Sequence, residues 1–116
     1  MERNALARWI LALSLAFVFV SFGIWKFVDP IIWIGFLPGW MEGLMGLTRD
    51  AWLRVIGVSE ILMGLLLLPP VRWMKRAGAG LIILHLLAIL TQVGWNDVAV
   101  RDLGLIGAAV ALLVML

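Results

Sequence analysis

Residues Arg54–Pro70 read RVIGVSEILMGLLLLPP, an apolar run interrupted by one glutamate, Glu60. Every other residue from Val55 to Leu68 is hydrocarbon-like, glycine or serine. A carboxylate in such a run is costly to bury and is seldom kept without a partner. What the glutamate means therefore depends on the solvent around the run.

Composition identifies that solvent. Of 116 residues, 65% are hydrophobic and 14% charged, and the mean hydropathy is +1.13. An ordinary soluble domain is roughly half apolar and about a quarter charged. A chain this short cannot hide so much apolar surface from water, so the expected partner is the lipid bilayer. The length allows a single domain, 1–116. There is no cysteine and one histidine, His85. Disulfides, thiol redox chemistry and thiolate clusters are excluded, and no metal site or covalently bound cofactor is expected. The net charge of +2 comes from basic residues near segment ends. They read as orientation signals and not as a nucleic-acid surface.

A helix crossing a ~30 Å hydrocarbon layer needs ~20 residues. Four spans are expected, at about 5–28, 50–68, 77–95 and 98–116. Pro69 and Pro70 end the second, because proline cannot continue a helix. The opening MERNALARWILALSLAFVFV resembles a secretory leader, but the apolar run continues through SFGIWKF without a small-x-small cleavage site and reads as an uncleaved span. In the fourth span the uncharged part, Leu103–Leu116, is too short alone, which places Arg101 and Asp102 at the membrane's outer zone or against protein. Arg3 and Arg8 share a side with Arg72, Lys75 and Arg76, and the positive-inside rule makes that side cytoplasmic. The expectation is a multi-pass membrane protein with both termini in the cytoplasm. The connection DPIIWIGFLPGWMEGLMGLTRD, with Trp33, Phe36 and Trp40, is expected to lie at the outer interface over the mouth of an all-α four-helix bundle.

Glu60 then falls near mid-membrane and needs a partner. His85 sits at similar depth, while Lys26, Arg101 and Asp102 lie toward the outer side. Lys26 is expected ~10 Å nearer that surface than Glu60 by helix rise. His85 and Gln92 share one helix face, so Lys26, Glu60, His85, Gln92, Arg101 and Asp102 form the candidate polar site. Each has a simpler reading: Lys26 as a snorkelling anchor, His85 as a satisfied core residue, Arg101–Asp102 as a capping turn. Gly57, Gly64, Gly78, Gly80, Gly104 and Gly107 are expected to admit close helix approach.

FVFVSFGIWKF, GVSEILMGLLLL and RDLGLIGAAVALL together resemble the DoxX family of small four-span prokaryotic membrane proteins. The resemblance covers nearly the whole chain and implies a four-helix bundle. It singles out Lys26, Glu60, Arg101 and Asp102. The family takes its name from a subunit of a thiosulfate:quinone oxidoreductase, and relatives are tied to redox-stress complexes. Most members have no established activity.

Three functions follow as expectations. The first is an accessory or quinone-facing subunit of a membrane oxidoreductase, with His85, Gln92, Trp25, Trp33 and Trp95 lining a quinone slot. Electrons would have to come from redox-protein subunits, which could dock on the basic RWMKR segment. The second is a structural or assembly protein, alone or as a homo-oligomer, whose charges fix helix register. The third is a small proton-coupled transporter like the small multidrug resistance proteins, although their acid lies on the first helix with tyrosine nearby. Whether the chain is an enzyme by itself is left open by its residues.

Overall fold

The computed structural model describes residues 3–116, and its helix boundaries follow capping chemistry. Helix α1, Arg3–Val28, stops just before Pro30, which opens the short α2, Pro30–Ile34. Single 3-10 turns at Gly39–Met41 and Leu44–Gly46 lead to Thr48, whose Oγ1 accepts from the Ala51 N–H at 3.1 Å and starts α3, Arg49–Leu66. After Pro69–Pro70 come α4, Arg72–Val93, and α5, Asp97–Met115. The chain is all-α, with no strand among the described residues.

By length and composition α1, α4 and α5 are able to cross a membrane. Helix α3 has 18 residues, or ~27 Å of helix, but carries Arg49, Asp50, Arg54 and Glu60 and so falls outside that group. Large apolar side chains face outward, including Phe17, Leu84 and Val114. That outer surface suits lipid and not water.

The four long helices pack as two pairs, α1 with α3 and α4 with α5, joined through α3–α4 and α1–α5 contacts. Gly23 meets Gly57 while Gly64 meets Ala16 and Val20, so α1 and α3 run antiparallel. A dry core of Leu15, Phe19, Leu67, Ile82 and Leu112 fills the half nearest the α3–α4 turn.

Two boundaries correct the expectations. Helix α4 starts at Arg72, five residues before 77, so the basic residues lie on helix. Lys75 is not a loop charge. Its buried Nζ donates to the Leu67 carbonyl at 2.6 Å, supplying an orphan acceptor at the end of α3, and stands 4.1 Å over the Trp9 ring. Nor does Asp102 cap α5. Asn96 does so, its Oδ1 accepting from the Ala99 N–H at 3.0 Å, which leaves Asp102 buried in the second turn. The connection after α1 folds back over the helix ends: Trp52 Nε1 donates to the Leu44 carbonyl at 3.0 Å, and the Arg49 N–H to Glu42 Oε2 at 2.8 Å.

Close approach is required at Gly23, Gly57, Gly64 and Gly78, where an added Cβ would press on a neighbouring helix. Gly80, Gly104 and Gly107 have open space instead, because they face away from every neighbour. Gly23 is the tightest, with the Gly57 carbonyl oxygen only 2.6 Å from where a Cβ would stand. Alanine normally favours an exposed helix position by ~1 kcal/mol over glycine. We therefore expect Gly23→Ala to lower the melting temperature of the purified protein, by ~1–3 kcal/mol of overpacking, and Gly104→Ala to leave it unchanged or higher. Equal effects in thermal unfolding would reject this packing.

Candidate functional site: a cavity floored by an ion pair

The half of the molecule opposite the dry core is hollow. A cavity of about 670 Å³ opens between the upper ends of the helices. Phe19, Phe22 and Trp25 of α1, Leu53 and Ile56 of α3, Ile89 of α4 and Leu105 of α5 form its apolar walls. Ile32, Trp33, Phe36 and Trp40 of the folded-back connection close one side.

Its floor is charged. Lys26 Nζ lies 2.5 Å from Glu60 Oε1, and His85 Nε2 lies 3.3 Å from Glu60 Oε2. Both approaches miss hydrogen-bond angles, so they are electrostatic contacts in the main. The side chains of Lys26 and Glu60 are 9% and 4% exposed, so this charge pair is nearly dry.

The sequence reading puts Lys26 ~10 Å above Glu60 by helix rise; packing removes most of that gap. Had Gly57 a Cβ, it would sit 3.5 Å from the Lys26 Cβ, so Lys26 stands level with Gly57. Gly57 is one turn, ~4.5 Å, from Glu60. The lysine stem runs down α3 to the carboxylate.

Lys26 Nζ also stands 4.1 Å over the Trp33 ring, a cation–π contact that holds the ammonium from above. Trp33 in turn packs on Phe22, Trp25 and Phe36. Phe19 meets the His85 ring edge-on at 6.2 Å.

Arg101 does not reach Glu60. Its Nε and Nη2 donate to Oδ1 of its own neighbour Asp102 at 3.2 and 3.1 Å, and its guanidinium stacks over Phe22 at 4.9 Å. Asp102 is 1% exposed, while the Arg101 side chain is 41% exposed and lines the cavity. Gln92 stays on the rim, accepting from Trp40 Nε1 at 3.3 Å and donating to Thr91 Oγ1. Trp25 and Trp33 line the cavity, but Trp95 is 78% exposed and lies outside it. Trp95 follows Gly94, whose φ of +72° turns the chain out of α4 and carries the indole away.

Sequence reasoning missed Trp40 and the apolar walls as site residues. Trp40 had a usable signal, an indole N–H in an otherwise apolar connection that needs an acceptor. Four buried polar atoms on cavity-lining residues make no hydrogen bond: Glu60 Oε1 and His85 Nε2, which are in the charge contacts above, and Trp33 Nε1, a donor, and Asp102 Oδ2, an acceptor, which are not.

Comparison with protein-family models, with curated proteins and with solved structures gives no match for this chain.

The buried pair sets a thermodynamic expectation. Removing one member of such a pair strands the other charge and costs ~3–5 kcal/mol, whereas replacing both by apolar residues is nearly neutral. Glu60→Leu and Lys26→Met should each destabilise strongly, and the Lys26→Met/Glu60→Leu double variant should recover most of the loss. Additive losses in a denaturation cycle would show that the pair is not coupled.

Proposed function

We propose that the chain is a four-span protein of the prokaryotic inner membrane, of the DoxX type, and that it holds a quinone-class ligand as an accessory subunit of a membrane oxidoreductase. The observation that carries this reading is the apolar cavity with a charged floor. Its volume lies in the ~300–1,000 Å³ range of small-molecule sites, which pair apolar walls with a few placed polar groups. A quinone supplies two-electron, two-proton redox chemistry when bound.

The residues divide the binding task. Trp33 Nε1 and Asp102 Oδ2 are buried without a hydrogen-bond partner, and a small side-chain shift toward the cavity would let the first donate to a ring carbonyl and the second accept from a hydroxyl. Lys26 places positive charge at the floor, and Glu60 and His85, 3.3 Å apart, need only a side-chain rotation to hydrogen-bond and pass a proton inward from the cavity. Phe22, Trp25 and Ile89 exclude water from an isoprenoid-like tail. Electrons must come from a partner, since the chain has no cysteine and one histidine. A purely structural role for the pair would leave the cavity and its two orphan polar atoms unexplained.

The fourth span is α3. With Glu60 paired, the charges left to hydrate are Arg49, Asp50 and Arg54, all in its first two turns, where they reach the interface. The basic starts of α1 and α4 then face the cytoplasm. The absence of cysteine makes this testable. In intact cells a membrane-impermeant maleimide should label Glu42→Cys at once and Arg72→Cys only after lysis; the reverse pattern rejects the orientation.

Ligand binding can be read from tryptophan fluorescence of the full chain in nanodiscs, titrated with decylubiquinone. Saturable quenching is expected, with the midpoint weakened up to ~tenfold in Trp33→Phe by loss of one hydrogen bond. Linear quenching that is the same in wild type and variant would overturn the assignment.

A further inference from the structure

A quinone and its quinol differ in a respect that this cavity can read. The quinone presents two acceptor oxygens and no donor, whereas the quinol presents two hydroxyls that donate as well as accept. Three carboxylates line the cavity, Glu60, Asp97 and Asp102. Both Glu60 oxygens are engaged, one by Lys26 and the other by His85. Asp97 lies exposed at the first residue of α5. Asp102 is buried, and Arg101 directs Nε and Nη2 to its Oδ1 alone, at 3.2 and 3.1 Å. Oδ2 is thus a dry carboxylate oxygen that makes no hydrogen bond within the chain. Such an oxygen carries a desolvation cost that only a donor relieves.

We propose that the cavity selects the reduced form of its ligand, a quinol over a quinone, and that Asp102 is the residue that discriminates. This inference rests on the reading of the cavity as a quinone-class site. Once a small side-chain shift brings Oδ2 to the cavity, a quinol hydroxyl donates to it, whereas a quinone carbonyl sets one acceptor against another. Hydrogen bonds to a carboxylate are roughly twice as strong as neutral ones. A site built to bond a hydroxyl also rejects an analogue lacking it far more strongly than an apolar wall rejects a methylene. Trp33 Nε1 makes no such choice, because it donates to a carbonyl and to a hydroxyl oxygen alike. Trp33 packs on Phe22 at 5.3 Å and the Arg101 guanidinium stands 4.9 Å over the same ring, so both groups border one aromatic wall. By linkage, tighter binding of the quinol makes the bound quinone easier to reduce, by ~30 mV for each tenfold in a two-electron couple.

The full chain in nanodiscs is titrated with decylubiquinone, and the bound quinone is then displaced by decylubiquinol kept reduced under nitrogen. Wild type should bind the quinol at least ~tenfold more tightly, and the midpoint potential of the bound couple should stand ~30 mV or more above that of the free couple. Asp102→Asn sets an amide donor where the carboxylate oxygen stood, so its preference should vanish or turn toward the quinone. Trp33→Phe should weaken both forms and keep the wild-type ratio between them. Equal affinity for the two forms in wild type, or tighter binding of the quinone, overturns the selectivity while leaving the cavity a quinone-class site. A wild-type ratio in Asp102→Asn, or an equal change of ratio in Trp33→Phe, overturns Asp102 as the discriminating residue. No saturable binding of either form overturns the reading of the cavity and this inference with it.

Discussion

Lys26 and Glu60 form a charge pair with almost no water around it, in a molecule whose exterior is hydrocarbon. In that medium neither charge is tolerable alone, so α1 and α3 must stay in the register that joins them. The register is held sterically as well. Gly23 sits three residues before Lys26, and Gly57 three before Glu60, so each helix offers a glycine and a charge on one face. The glycines let the backbones close to contact distance, and that closeness lets a lysine stem reach down one turn to the carboxylate. Packing and electrostatics support the same arrangement.

The molecule is divided along its length by this pair. On one side lies the dry core, built from Leu15, Ile82, Leu112 and neighbours in close contact. On the other, the aromatic residues of α1 and the folded-back connection hold the helix ends apart and leave a cavity. Large rings that stack on each other, as Trp33 does with Phe22, Trp25 and Phe36, cannot also fill the space between helices. The polar groups then line a hollow instead of a sealed core.

Charge is divided in the same way. Among the described residues the side-chain ion pairs gather toward the cavity end, while Arg8, Arg72, Lys75 and Arg76 gather at the other, Arg76 donating to the Leu116 oxygen. In the orientation proposed above, the positive-inside rule would put these cations on the cytoplasmic side. It does not account for Lys75, which is turned inward to serve a carbonyl of α3.

Composition and the spacing of prolines determined that this chain is all-α and in large part suited to lipid, because both depend on properties summed over many residues. The isolation of Glu60 determined that it needs a partner, because the cost of a bare carboxylate in hydrocarbon does not depend on the fold. Which partner it takes was beyond the sequence. Lys26, His85 and Arg101 were all within plausible reach, and helix rise alone set Lys26 ~10 Å above Glu60. Only the axial offset of α1 against α3, created by Gly23 and Gly57, brought Lys26 level, while Arg101 folded back on Asp102. The fate of Trp95, of Gly104 and of Lys75 was likewise decided by tertiary structure, since a residue's neighbours across a helix interface are set by rotation and offset that no local pattern encodes.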